Sequence, residues 1–340
     1  MKPQICLVPK LEGLGGMVSF QAKLINGLVN REIPYSFDIT DPHNTAILVI
    51  GGTRHLHKLR VAKQNGTRIV QRLNGMNWLH KVEKTPLKLY LRSEFYNRIL
   101  AHIRRSMADR IVYQSQFSRD WWNMVHGERP VPSQVVYNAV DLTAYSPAGP
   151  EKPPNDHFRI LLVEGHLSGA YARGLETAVR MAQTVSKTQQ MKIELMVVGD
   201  VSDALKAHVH STTPDLWVTW RGIVPREEIP AIDRSAHVLF SADLNAACPN
   251  SVIEALACGL PVVAYDTGAL SELVQGGAGE VVAYGTDHWQ LEDPVIPPLA
   301  DACTKVLLEN ANYRINARQR AEASFNLDLM VDSYLKALVG

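Results

Sequence analysis

Short apolar runs alternate with stretches of helical length along the whole chain, and this alternation leaves few architectures open. Residues 5–8, 46–50, 158–163, 193–198, 238–240 and 261–265 are runs rich in Val, Ile and Leu. Runs this short, with little polar alternation, suit strands buried on both faces of a parallel sheet. Helices are expected over about 17–29, 54–64, 87–107, 229–234, 251–257, 298–308, 313–325 and 327–338. In the helix from 87 to 107, Leu91, Phe95, Ile99, Ile103 and Met107 recur every fourth residue and are expected to form its buried stripe. Arg92, Arg98, Arg104 and Arg105 are expected on its other faces, as a solvated surface or, alternatively, a membrane-surface or anionic-acceptor patch. The fold class is therefore α/β, with doubly wound sheets. A chain of 340 residues makes two such domains. Residues 146–154, with four prolines and a glycine, read as an exposed hinge between them. No repeat or low-complexity segment interrupts the pattern.

The net charge of +1 conceals an asymmetry. Residues 1–150 carry 20 Lys+Arg against 10 Asp+Glu, and residues 151–340 carry 15 against 24. Most of the excess lies between Arg54 and Arg110, with 14 basic residues against 3 acidic. Such a split implies either an anionic partner for the first half or attraction between the halves. The first apolar run is too short for a signal peptide, and no stretch approaches the roughly 20 apolar residues of a membrane span. The four cysteines, Cys6, Cys248, Cys258 and Cys303, have no metal-ligand spacing. A cytoplasmic protein without a bound metal is expected.

Residues 236–274 carry the most chemistry. An apolar strand at 238–240 runs into the turn-rich Cys248-Pro249-Asn250-Ser251, and a helix follows to Ala257, closed by Gly259 and Pro261. A helix that starts just after a parallel strand points free N–H groups above the sheet, an arrangement suited to phosphate. Asn250, Ser251 and Val252 supply those groups here. Glu254, one turn into the helix, can accept hydrogen bonds from a sugar hydroxyl.

These residues resemble the donor-binding signature of family 4 glycosyltransferases. The resemblance covers nearly the whole chain and is specific over about 158–274. It implies the GT-B fold: two Rossmann-like doubly wound domains facing across a cleft. The first is expected over 1–148, with the C-terminal helix 327–340 packing back on it, and the second, nucleotide-sugar-binding domain over 156–325. Glu254 matches the second glutamate of the family's paired-glutamate motif, expected to hold the ribose. The first glutamate's position is occupied by Ala246. His166 and Arg173 match the family's diphosphate-binding arginine and lysine. The Arg173 fork suits phosphate, and histidine is only partly charged near neutrality. Gly222, Ile223 and Val224 match the segment whose backbone reads the base.

In the first half, Gly15 and Gly16 lie in a glycine-rich turn between strand and helix. The resemblance makes this turn the loop facing the donor diphosphate, and the alternative is a plain tight turn. It lacks the Gly-x-Gly-x-x-Gly dinucleotide pattern, which argues against a nicotinamide dehydrogenase. Asn74 ends the strand at 68–73 on the acceptor side, where relatives carry a histidine, and an ordinary Asn-Gly turn is the other reading.

The resemblance thus implies a retaining, metal-independent glycosyltransferase of the hexosyltransferase type, acting in glycan or glycolipid biosynthesis. It would use a nucleotide diphosphate sugar as substrate and no cofactor, with Arg173 and Glu254 as the central catalytic pair. Arg173, His166 and the helix N–H groups would stabilise charge on the departing diphosphate. The basic 54–110 stretch points to an anionic or membrane-borne acceptor and to peripheral membrane contact. The alternative is a catalytically inactive partner that binds a nucleotide sugar, favoured by Ala246, Asn74 and His166. An epimerase of the same fold fits the Glu254 stretch less well.

Overall fold

A computed structural model describes residues 2–13, 15–167 and 172–340. Leu14, inside the glycine-rich turn, lies outside the described residues. The chain divides into two compact units, residues 1–139 with 327–340, and residues 140–326.

The first unit is built on a six-stranded parallel sheet. Its strands are β1 (Gln4–Val8), β2 (Tyr35–Ser36), β3 (Asn44–Ile50), β4 (Arg68–Leu73), β5 (Arg110–Tyr113) and β6 (Ser133–Val135), in the order β2-β1-β3-β4-β5-β6. The two-residue strand period divides each apolar run between two cores. Ala46, Leu48 and Ile50 join one cluster, while Ile47 and Val49 join the other. Both faces need helical cover, which is why the runs are apolar without alternation. Helix α1 (Gly16–Asn30) and the C-terminal α12 (Leu327–Val339) share the first cluster. They approach so closely that a Cβ on Gly27 would lie 2.3 Å from Val331. Helices α2 (Leu56–Gln64) and α3 (Leu87–Ser106) cover the other face through Leu59, Ala62, Ile99 and Ile103. Helix α4 (Gln116–His126) follows β5, with Ser115 as its cap: the Ser118 N–H donates to Ser115 Oγ at 3.0 Å.

Two expectations for α3 are corrected. Ile99, Ile103 and Met107 are buried, but Leu91 and Phe95 are 58% and 50% exposed. A strict four-residue spacing advances about 40° per step around a helix. Five such residues therefore sweep round the helix, and the first two turn away from the core. Arg104 does not face solvent. It is buried and donates to Tyr113 Oη, Asn123 Oδ1 and the Gly127 carbonyl, tying α3 to β5 and α4.

The second unit repeats the plan. Its strands are β7 (Phe158–His166), β8 (Ile193–Asp200), β9 (Trp217–Gly222), β10 (Val238–Ser241), β11 (Val262–Tyr265) and β12 (Gly279–Val282). All pairs are parallel, in the order β12-β11-β10-β7-β8-β9. Helices α5 (Ala172–Gln189) and α10 (Ile296–Leu308) bury Leu175, Ala178, Met181, Leu299 and Val306 on one face. Helix α8 (Asn250–Ala257) packs on β10 and β11 and against α11 (Asn310–Ser324). Helices α6 (Asp203–Thr212), α7 (Ile229–Arg234) and α9 (Leu270–Leu273) complete the unit.

The C-terminal residues 327–340 group with the first unit, while the division after Ala139 falls nine residues before the expected boundary at 148 and leaves residues 146–154, expected as an exposed hinge, within the second unit. The segment is anchored inside the second unit. Arg234 Nη2 pairs with Glu151 at 2.7 Å, and its Nη1 donates to the Ser146 carbonyl. Arg318 donates to the carbonyls of Leu142 and Tyr145. Four prolines favour an extended path, and these two arginines fix where it runs.

Candidate functional site

Strand order places a site before any side chain is considered. In the second sheet the chain runs outward through β7, β8 and β9, then returns to the other side of β7 through β10, β11 and β12. The switch point lies between β7 and β10, and ligands of open α/β sheets bind at the carboxyl ends of the strands there. A cavity at that edge is lined by Arg173, Gly174, Thr177 and Arg180 of α5. Ser241 to Leu244 at the end of β10, Thr267 beyond β11, and Tyr284 and Asp293 complete its wall. Gly174 allows α5 to close on the β10 loop, since a Cβ there would lie 2.7 Å from that of Ala242.

The cavity is polar and incompletely satisfied. Ser241 and Thr267 are buried, and neither hydroxyl has a hydrogen-bond partner among the described residues. Asn245, which follows Leu244 but does not line the cavity, is also buried with a positive φ of 56°, and among the described residues both its amide atoms lack partners. Buried polar atoms without partners mark places where water or a ligand is expected. Burial pushes the Asp243 carboxyl up to about 6. Burial, and then the Asp243 charge, holds the Glu164 carboxyl well above the carboxylate range. This carboxyl pair spans the switch point from β7 to the end of β10.

Arg173 lines the cavity as a half-exposed cation, with Nη1 3.7 Å from the exposed Asp293 carboxylate. The contact is a loose surface pair of little strength, which a polyanion can displace. His166 stands at the end of β7, largely exposed, with Nδ1 3.3 Å from Asp200 Oδ2. It does not line the Arg173 cavity.

Glu254 heads a second cluster. It is about nine-tenths buried on α8, and its Oε1 lies 3.7 Å from Arg226 Nη2. Burial, with the Glu254 charge next, pushes the Tyr145 hydroxyl up to about 12. Burial, again followed by the Glu254 charge, pushes the Asp233 carboxyl well up. Glu254 therefore works in a dry, negatively biased setting in which Arg226 is the neighbouring cation. The N-cap of α8 is Pro249, which offers no side-chain acceptor, so the first-turn N–H groups of Asn250, Ser251 and Val252 remain directed beyond the helix. Ala246 holds the loop by its backbone. Its carbonyl accepts from the Ala269 N–H at 2.9 Å, and a Cβ on Gly268 (φ 62°) would press on its backbone at 2.5 Å.

Gly222 ends β9 with φ 67°, and Ile223 beyond it is 62% exposed, so this turn presents backbone and an apolar side chain outward. In the first unit, Gly15 is the N-cap of α1 with φ 123°, open space where a Cβ would be, and Gly16 begins the helix. The Asn74 carbonyl accepts from Trp122 Nε1 at 2.7 Å and Ser118 Oγ at 3.2 Å. Its backbone is thereby fixed at the carboxyl end of β4.

The sequence reading missed Glu164, Arg226, Asp243, Tyr145 and Thr267. Glu164 and Asp243 each end an apolar run, a position that the strand-end rule could have singled out. Arg226 follows the Gly222–Val224 turn by two residues. Tyr145 and Thr267 carried no comparable signal. Among the described residues, no group of three or more His, Cys, Asp or Glu could hold a metal ion, and no helix is long and apolar enough to cross a membrane.

Comparison with known proteins agrees with this fold. Residues 159–301 match the family model described as glycosyl transferases group 1. No curated protein sequence matches significantly. Among solved structures, HepE of Anabaena in complex with UDP and glucose is similar at 15% identity and a TM-score of 0.70, over 99% of each chain. Sucrose-phosphate synthase of Thermosynechococcus elongatus is similar at 14% identity and 0.68, over 99% of this chain and 98% of that one. A glycosyltransferase of Rickettsia africae is similar at 15% identity and 0.68, over 98% and 97%. The chain has the GT-B fold, two Rossmann-like α/β units, and its residues 159–301 carry the pattern of the group 1 glycosyl transferases.

Proposed function

We propose that the protein is a retaining glycosyltransferase that moves a sugar from a nucleotide diphosphate sugar to an anionic or membrane-borne acceptor on the cytoplasmic side. The observation that carries the reading is Glu254, buried one turn into a helix whose first-turn N–H groups are uncapped, within the segment matching the group 1 family model. Glu254 would hold the ribose hydroxyls. The N–H groups of Asn250, Ser251 and Val252 with Arg173 would receive the negative charge that grows on the departing diphosphate. His166 would add charge when protonated. Gly222 to Val224 would meet the base, and Gly15, Gly16 and Asn74 would serve the diphosphate and acceptor from the first unit. Arginine and helix N–H groups supply the positive potential in this reading, which therefore calls for neither a metal ion nor a cofactor. HepE is described with UDP-glucose, which makes uridine the first base to test.

A thermal-shift panel of UDP, GDP, ADP and their sugar conjugates, with and without magnesium, tests the reading. A ligand that binds the folded state raises Tm according to its affinity and concentration. One nucleotide is expected to raise Tm without magnesium, and Arg173→Ala and Glu254→Ala are each expected to weaken the effect at least about tenfold in Kd, the equivalent of a lost charge-assisted contact. No shift with any nucleotide refutes the donor site. A normal shift with no sugar transfer or hydrolysis favours the second reading, an inactive nucleotide-sugar-binding partner, to which Ala246 in place of a motif glutamate points.

A further inference from the structure

The amino-terminal two turns of α3 stand apart from the packing of the first unit. Every residue from Pro86 to Arg92 is exposed. Leu87 is 72% exposed, Leu91 58% and Phe95 50%, and Leu89 and Tyr90 are exposed beside them. At about 100° per residue, Leu87, Leu91 and Phe95 fall within about 80° of one another and form one apolar stripe. Ile99 and Ile103, further along, have rotated onto the sheet and are buried.

The stripe is embedded in positive charge. Residues 81–98 hold five Lys+Arg against two Glu, and all five basic residues are exposed. The two glutamates are half-buried, and Glu94 is engaged with His80 at 2.8 Å and Lys81 at 3.3 Å. Among the described residues, no ion pair involves Lys84, Lys88, Arg92 or Arg98. Arg54 packs over the rings of Phe95 and Tyr96 at 5.7 and 5.4 Å, and Arg92 over Tyr96 at 5.7 Å. Cations thus rim the exposed Phe95 and the half-buried Tyr96.

We propose that this end of α3 is a docking face for an anionic lipid bilayer. Leu87, Leu91 and Phe95 enter the boundary between headgroups and acyl chains, and Lys84, Lys88, Arg92 and Arg98 remain at the lipid phosphates. Tyr90 lies along the interface, apolar ring inward and hydroxyl in the wet layer. A protein partner fits less well. The buried centre of a protein interface is depleted in lysine, and here Lys88 sits between Leu87 and Leu89. A bilayer surface takes both residue types at once, because its apolar and anionic layers are only a few ångströms apart.

The inference stands independently of the transferase reading, and flotation with vesicles tests it in the full-length chain. The protein is expected to float with vesicles of equal parts phosphatidylglycerol and phosphatidylcholine, and not with phosphatidylcholine alone. Lys88→Gln/Arg92→Gln is expected to lower the partition coefficient about 25-fold, from about fivefold for each basic residue removed. Leu87→Ser/Leu91→Ser/Phe95→Ser is expected to abolish flotation. Both variants are expected to keep the wild-type Tm, since the residues exchanged are exposed. Failure of the wild type to float with anionic vesicles overturns the proposal. So does flotation of both variants at the wild-type level, or wild-type self-association that the triple variant loses in the absence of vesicle binding.

Discussion

Asp243→Asn provides the sharpest test of the cavity at the switch point. In the folded protein, burial moves this carboxyl from an ordinary value of 3.8 to about 6. Holding the proton more tightly in the folded state favours folding at low pH. That advantage is complete below the unfolded value and is lost as pH rises through about 6. Moving one carboxyl this far is equivalent to about 3 kcal/mol. Asp243 is only half-buried, so solvent screening reduces the effect to about 1.5 kcal/mol. Asparagine has the same shape and no charge to desolvate. The stability of Asp243→Asn relative to wild type is therefore expected to rise by about 1.5 kcal/mol between pH 4 and pH 7.5. Removing the Asp243 charge also lets the Glu164 carboxyl ionise more readily, which acts in the same direction. Urea denaturation of both proteins at the two pH values measures the difference, and titrations common to both cancel. Parallel pH profiles, or a variant that loses ground as pH rises, would falsify the assignment of a desolvated carboxyl at this position.

Two further variants test the packing. Gly27→Ala should raise helix propensity in α1 by about 1 kcal/mol, but its Cβ would lie 2.3 Å from Val331. Overpacking of about 1–3 kcal/mol is expected to prevail, lowering Tm, with Val331→Ala relieving the clash in the double variant; a stabilised Gly27→Ala alone refutes the close crossing. Ser115→Ala removes the acceptor of the Ser118 N–H at a buried helix start and is expected to lose about 1–2 kcal/mol in denaturant titration; no loss means that α4 starts without this cap.

The elements that could be read in advance are those that local periodicity defines. The apolar runs at 46–50 and 193–198 lie within β3 and β8 because both faces of each strand are buried, and the one charged residue among them, Glu194, is buried against Arg159 and His157. Helix α8 begins at Asn250 because Pro249 and the preceding turn residues cannot extend a helix backwards, while Gly259 (φ 70°) lies just beyond its end. In α3, local periodicity misled. The four-residue spacing is present in the sequence, but only the fold decides that Ile99 and Ile103 are covered while Leu91 and Phe95 are not. Arg104 likewise reads as a surface residue until Tyr113, Asn123 and Gly127 are brought round it.

The amino-acid sequence by itself determined the α/β class, the two-domain plan and the helix entry that carries Glu254, because each follows from spacing within one strand or one turn. Tertiary structure alone decided which charged groups meet. Glu164 and Asp243 are 79 residues apart, and they interact because β10 lies beside β7. Arg226, in a short 3-10 turn after β9, reaches Glu254, and Asp293, in the loop before α10, reaches Arg173, from positions that depend on strand order. Desolvation also belongs to the folded molecule, since a carboxyl is raised only by what surrounds it. The first residues of α3 show the same division: their composition is written in the chain, and only the fold leaves them uncovered.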